Sequence, residues 1–335
     1  MAAPPALLEP ALPGGLDAAL VQVPLDTVDA ALAALPPSAG VAQFLAEGGR
    51  NLLIGRAANL RRWAATHLGA GPPPKPGKRP PLDLRPVAAA IRFAPSAGEF
   101  QQRLLFERLM ARFVPLSARR DLKAPAWLHL DVCDPFPRLA PRGARAARAG
   151  GPGCFGPFRD LRAAARARDA LHRRLPLRPC EFAFEPHPEL PLGLGCVYAQ
   201  TRSCAAPCLA RVSADEYRAL AATAARLLRG PRDDDADLPS WVSTREVCAL
   251  VVDPAPGGLG LYPVRDGRVL EPSAMLCAPD RLEDAARALE WAAPADDADW
   301  PWLLSWLHAP RRKGRYVVLG KEEPEELSAR LRHVL

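Results

Sequence analysis

Four of the chain's eight cysteines fall between Cys180 and Cys208, and that crowding constrains the fold more than any other feature of the sequence. The stretch opens Cys180-Glu181-Phe182-Ala183-Phe184-Glu185-Pro186-His187-Pro188-Glu189 and runs through a Leu/Pro/Gly segment to Cys196, Cys204 and Cys208. Pro and Gly turns let such a backbone fold back on itself, so the thiolates can converge on one centre. Tetrahedral zinc and an iron–sulfur cluster both suit four cysteines. Zinc usually draws its ligands as two closely spaced pairs, whereas here only Cys204 and Cys208 are close and Cys180 and Cys196 arrive singly. The spacing leans toward a cluster. Buried thiols with no shared ligand are the plainer alternative. A disulfide framework fits less well, because Cys133, Cys154, Cys248 and Cys277 are scattered singly with no export signal ahead of them.

At 335 residues, 49% hydrophobic and 24% charged, the chain suits two or three globular domains with cores of their own. No apolar run reaches the length of a membrane span, and no basic region precedes the apolar N-terminal residues. A cytoplasmic location and no membrane partner are therefore expected. Charge is unevenly placed: residues 231–335 carry 13 Lys and Arg against 19 Asp and Glu, while residues 1–230 carry 31 against 18. A basic body beside an acidic C-terminal third suggests a polyanion-binding surface and a separate module. Arginines spread over solvated faces are the bland reading of the same numbers.

In chain order, residues 1–36 form a Pro/Ala/Leu-rich arm ending in a short helix. Gly40–Leu45 and Leu52–Gly55 are apolar runs joined by a Gly-Gly turn, the pattern of a β-hairpin. A helix from Asn59 to Leu68, a strand over Val87–Phe93 and an amphipathic helix over Glu99–Phe113 complete a three-stranded sheet with helices packed on it. The helix Arg159–Arg174 precedes the cysteine block. Past Gly230 come an acidic loop at Asp233–Asp237, strands at Ala249–Val252 and Gly260–Val264, helices at Asp280–Trp291 and Ala298–Leu307, and a last strand at Arg315–Leu319. Trp300, Trp302 and Trp306 are expected as core anchors rather than a base-stacking platform. The fold class expected is α+β.

The order strand, strand, helix, strand, helix resembles the GIY-YIG nuclease domain, with Gly40-Val41 and Ile54-Gly55 at the paired strands and Gly55-Arg56-Ala57-Ala58-Asn59-Leu60-Arg61-Arg62 after them. The likeness extends further. Cys154-Phe155-Gly156-Pro157-Phe158, Leu175-Pro176-Leu177-Arg178-Pro179-Cys180, Arg202-Ser203-Cys204-Ala205-Ala206-Pro207-Cys208 and Val212-Ser213-Ala214-Asp215-Glu216-Tyr217 are similar to successive words of the UvrC family of excinucleases, Cho-like proteins included. The resemblance covers residues 38 to about 229. It implies a GIY-YIG-like domain over 37–120, a helical cysteine-rich module over 121–230 and a small α+β C-terminal module over 231–335. It also implies a [4Fe–4S] cluster on Cys180, Cys196, Cys204 and Cys208, with zinc the alternative, and DNA and an excision-repair protein as partners.

The family's nuclease site uses two Tyr, an Arg, a metal-binding Glu and an Asn. These hold a divalent ion, deliver the nucleophile and neutralise the charge that develops on the phosphate. Here the matched positions are Ala42, Leu53, Trp63, Phe106 and Ala118, with Pro115 in register downstream. A divalent metal is not expected there. The sequence thus supports a non-catalytic DNA-binding protein, with Arg56, Arg61, Arg62, Arg159, Arg162 and Arg166 as candidate contacts. A second reading is an active endonuclease rebuilt around Glu107, Arg61 and Arg62. A third is a protein-interaction scaffold that contacts its partner through the acidic third.

Overall fold

The computed structural model describes residues 9–10, 15–73, 80–115, 118–119, 125–131, 133–143, 153–189, 196–229, 248–265, 268–270, 274–291, 302–303, 306, 316–320, 329 and 331. It is an α+β protein with three antiparallel sheets. The acidic loop at Asp233–Asp237, Trp300, Arg145 and Arg148 lie outside the described residues. Among the described residues no helix is long and apolar enough to cross a membrane.

The N-terminal half opens with β1 (Glu9–Pro10), α1 (Gly15–Ala19), β2 (Val21–Pro24) and α2 (Val28–Ala34). The hairpin β3 (Gly40–Leu45) and β4 (Asn51–Ala57) follows, then α3 (Leu60–His67), β5 (Ala90–Pro95) and α4 (Glu99–Phe113). Gly48 and Gly49, at φ 70° and 77°, turn the hairpin in a region that side chains with a Cβ rarely enter. The sheet order is β2-β5-β3-β4, so the sheet has four strands where three were expected. The extra strand is Val21-Gln22-Val23-Pro24, a short edge strand that pairs with β5. Its alternation is too brief to separate from the surrounding Pro/Ala-rich sequence, and Pro24 ends it where a donor would be needed. The expected N-terminal arm is therefore divided between two sheets, because β1 pairs with a strand of the C-terminal sheet.

Side chains alternate across the central strand. Ala42 and Phe44 of β3 join an apolar layer with Leu60, Ala64 and Leu68 on the α3 side. Val41 joins the layer that contains α4.

The middle segment comprises β6 (Ala126–Leu130), β7 (Leu139–Gly143), β8 (Cys154–Phe158), α5 (Leu161–Arg174), α6 (Val197–Gln200) and α7 (Ala214–Arg229). The expected helical module thus carries a three-stranded sheet, ordered β7-β6-β8. Ala164, Ala167, Ala170 and Leu171 of α5 and Tyr217, Ala221, Ala224 and Leu228 of α7 close its core. Small residues at these positions let α5 lie close to the sheet.

C-terminal strands β9 (Cys248–Ala255), β10 (Gly258–Arg265), β11 (Arg268–Val269), β12 (Met275–Cys277) and β13 (Tyr316–Gly320), with α8 (Leu282–Arg287), build the third sheet. Its main path runs β1-β12-β10-β9-β13. Its described residues share a core with α4. Phe100 of α4 packs against Tyr262, Trp302 and Trp306, with ring centroids 4.8, 5.6 and 5.1 Å away. Trp302 and Trp306 are buried core anchors, as expected from the sequence.

Asp253 of β9 reaches the start of α4, where its Oδ2 accepts a hydrogen bond from the Phe100 amide at 2.7 Å. Gly98, the residue before α4, offers no side chain for that role. A Cβ at Gly98 would come within 2.0 Å of the Asp253 carboxylate. The helix is therefore capped by a neighbouring sheet, and the negative charge also suits its N-terminus. Phe100→Ala is expected to cost about 3–5 kcal/mol and Asp253→Ala about 2 kcal/mol. Because α4 belongs to both cores, hydrogen exchange should show β3 and β9 losing protection together in either variant.

Candidate functional site

Four of the five positions matched to the nuclease site fall in two apolar layers. Ala42 is fully buried on the α3 side, where Leu53 and Trp63 pack against the same core. The Trp63 indole lies so close over Gly55 that a Cβ there would come within 2.4 Å of it. Phe44 at 5.4 Å and His67 at 4.9 Å complete an aromatic cluster around Trp63. Phe106 instead packs with Ile54 in the α4 layer, and neighbouring residues of β4 face opposite sides of the sheet. Ala118 is exposed.

The fallback residues are otherwise engaged. Glu107 is buried. Arg119 reaches its Oε2 at 2.9 Å and Arg103 pairs with its Oε1. Arg61 donates through Nε to the Leu35 carbonyl at 2.9 Å and through Nη2 to that of Ala33 at 3.5 Å, so it closes the C-terminal end of α2. Arg62 stays exposed on α3, whose N-terminus is capped by Asn59 Oδ1 accepting from the Arg62 amide at 2.8 Å. Of the candidate DNA contacts on this domain, Arg56 and Arg62 face solvent, and Arg61 is committed to holding α2.

On α5 the arginines separate by role. Asp160 caps the helix, its Oδ1 accepting from the Ala163 amide at 2.8 Å. Arg162, Arg166 and Arg173 are exposed. At about 100° per residue, positions four and eleven apart fall within about 40° of one another, opposite the buried Ala164, Ala167 and Leu171. Exposed Arg159, just before the helix, pairs with Asp160 at 3.7 Å. Other arginines of the segment have local partners: Arg168 pairs with Asp169 at 2.7 Å and Arg138 with Glu181 at 2.9 Å.

Arg178 was given no role by the sequence, and it organises the cysteine region. Its buried guanidinium donates to the Phe136 carbonyl at 2.6 Å, the Phe182 carbonyl at 2.9 Å and Asp134 Oδ2 at 2.6 Å. Its amide donates to the Tyr217 hydroxyl at 2.7 Å, and burial pushes that phenol up so that it stays protonated. One side chain thereby ties the β6–β7 connection and α7 to the backbone on either side of Cys180. The only signal in the sequence was an Arg between Pro176 and Pro179, two residues before a cysteine.

Cys204 and Cys208 are buried, and Cys180 and Cys196 are half-buried. The backbone around them is unusual: Arg202, Ala206 and Ala210 adopt φ of 56°, 57° and 52°, the non-glycine residues with positive φ among the described residues. Such conformations cost free energy and persist where the surroundings dictate them. Here one of them aims the Ala206 amide at the Cys204 sulfur, at 3.3 Å. Burial, then the charges of Cys180, Cys196 and Cys208, push the Cys204 thiol up; burial, then Cys196 and Cys180, do the same for Cys208.

The four sulfurs therefore share one electrostatic neighbourhood. Among the described residues, however, no group of three or more His, Cys, Asp or Glu is arranged to hold a metal ion. The donor set of four thiols suits a cationic centre, which would relieve the mutual repulsion of four thiolates.

Residues 126–227 match the family model of the UvrC/Cho excinuclease middle domain. The chain is similar to the UvrABC system protein C of Kocuria rhizophila, 29% identical over 58% of this chain and 28% of that protein. Its counterpart in Sphingopyxis alaskensis is 30% identical over 58% and 29%, and that of Rhodospirillum rubrum 30% over 68% and 33%. The matches span about three tenths of the relatives' own length. No solved structure matches the chain.

Arg178→Met should destabilise the middle segment by about 3 kcal/mol, since it strands Asp134 and two carbonyls. Faster alkylation of Cys180 at unchanged pH would report the same loosening.

Proposed function

We propose that this is a DNA-binding protein of the nucleotide-excision-repair type, with a GIY-YIG-like domain that binds but does not cut. The observation that carries the reading is the exposed Arg162–Arg166–Arg173 stripe on α5, within the segment similar to the UvrC/Cho middle domain. Three guanidinium groups along about 17 Å of one helix face suit the phosphates of a duplex without reading its bases. The likeness to the UvrC/Cho excinuclease middle domain and to proteins named as part of a UvrABC system is the ground for proposing DNA and an excision-repair protein as partners.

Loss of nuclease chemistry rests on the residues present. Ala42, Leu53, Trp63 and Phe106 are apolar groups in packed layers, Ala118 is a small exposed group, and the neighbouring carboxylate, Glu107, is occupied by two arginines. Cys180, Cys196, Cys204 and Cys208 would hold a [4Fe–4S] cluster, which supplies covalent cross-links between three stretches of an irregular segment. The chain's own part is to keep the sulfurs gathered through Arg178 and the left-handed turns at Arg202, Ala206 and Ala210.

Duplex DNA should be retained at low salt and released steeply as salt rises. Changing Arg162, Arg166 and Arg173 to Gln should lower the slope of log affinity against log salt by about 0.9 for each phosphate no longer neutralised. Failure of the wild type to bind DNA would leave the protein-interaction reading. Branched and nicked duplexes should stay intact with magnesium or manganese, whereas cleavage abolished by Glu107→Gln would show a rebuilt nuclease. Anaerobically purified protein should carry about four irons per chain, absent from the double variant Cys204→Ser with Cys208→Ser; stoichiometric zinc without iron would replace the cluster by a zinc site.

A further inference from the structure

Three guanidinium groups converge on one aromatic ring at the junction of β4 and α4. The Cζ of Arg56 lies 5.3 Å from the Phe106 ring centroid, that of Arg119 5.8 Å and that of Arg103 5.9 Å. The three come from different parts of the chain: Arg56 from β4, Arg103 from the α4 turn before Phe106, and Arg119 from beyond the end of α4. Glu107 sits among them, taking Arg103 on one carboxylate oxygen and Arg119 on the other. Arg119 and Glu107 are buried together, so the carboxylate orients the two inner guanidinium groups. Arg56 is exposed and has no carboxylate partner among the described residues.

Three guanidinium groups gathered at one aromatic ring, two of them oriented by Glu107 and one open to solvent, suit an anion at Arg56 better than a divalent metal. Phe106 is the position that resemblance assigns to a metal-binding Glu. Its ring instead meets guanidinium groups.

We propose that Arg56, with Arg103 and Arg119 ordered around Phe106 by Glu107, forms a metal-independent site for a backbone phosphate of DNA. The proposal rests on the DNA-binding reading and adds to it a second contact region, on the GIY-YIG-like domain. Arg56 closes on the phosphate from solvent, and the inner pair supplies fixed positive charge that needs no rearrangement on binding.

The test is fluorescence anisotropy of a labelled duplex across a salt series, in magnesium and in EDTA. Arg56→Gln, at an exposed position that should leave the fold intact, is compared with the triple Gln variant of Arg162, Arg166 and Arg173. The expected result is a salt slope lower by about 0.9 in Arg56→Gln, additive with the decrease in the α5 variant and identical with and without magnesium. An unchanged slope and affinity in Arg56→Gln, with the α5 variant still weakened, overturns this proposal and leaves the DNA-binding reading standing. Binding at Arg56 that vanishes in EDTA overturns it as well. Wild-type protein that retains no DNA overturns both. Titration of inorganic phosphate alone distinguishes the source of the anion: saturable binding abolished in Arg56→Gln, with the DNA slope unchanged, would make this a free-anion site and overturn the commitment to DNA.

Discussion

The helix α4 is shared by two sheets, and the rest of the molecule is arranged around that sharing. Its amide end is capped by Asp253 from the C-terminal sheet. On the opposite side Gln102 donates through Nε2 to the carbonyls of Gly40 and Ala57, at 2.9 and 2.7 Å, where the β3–β4 hairpin opens. Phe100 is enclosed by Tyr262, Trp302 and Trp306. A helix gripped from two sides by different sheets cannot rock between them without breaking buried hydrogen bonds and aromatic packing. The described residues of the C-terminal third thereby share a core with α4 and the hairpin side of the first sheet.

The middle segment solves a different problem. The backbone on both sides of the cysteines is largely irregular, so its polar groups must find partners outside helices and strands. Arg178 supplies such partners from one buried guanidinium, with Asp134 balancing its charge. The Cys204–Cys208 turn is held by its own bonds: the Ala205 amide donates to the Pro176 carbonyl at 2.7 Å and the Cys204 amide to that of Tyr198 at 3.2 Å. These bonds draw the stretches that carry the sulfurs toward one another.

Charge follows the same division of labour. Arginines that touch backbone carbonyls or carboxylates, such as Arg61, Arg119 and Arg178, hold the fold. Others, such as Arg162, Arg166 and Arg173, stay at the surface in register along α5. Composition cannot sort one group from the other, because the same side chain serves as a helix C-cap, a buried ion pair or a solvated contact according to what faces it.

The sequence by itself determined the elements whose signals are local. The Gly-Gly hairpin, the helices over Asn59–Leu68 and Arg159–Arg174, the long α4 and the cysteine block were all legible, because turn chemistry and side-chain periodicity act over a few residues. So was the apolar character of Ala42, Leu53, Trp63 and Phe106. Tertiary structure alone decided that β2 extends the first sheet, that β1 joins the third, and that Asp253 caps a helix more than 150 residues away in sequence. It also decided that Phe106 lies across the sheet from Trp63, among three guanidinium groups. Each of these depends on which surfaces meet when separate segments bury their apolar faces together, and no short window of sequence carries that information.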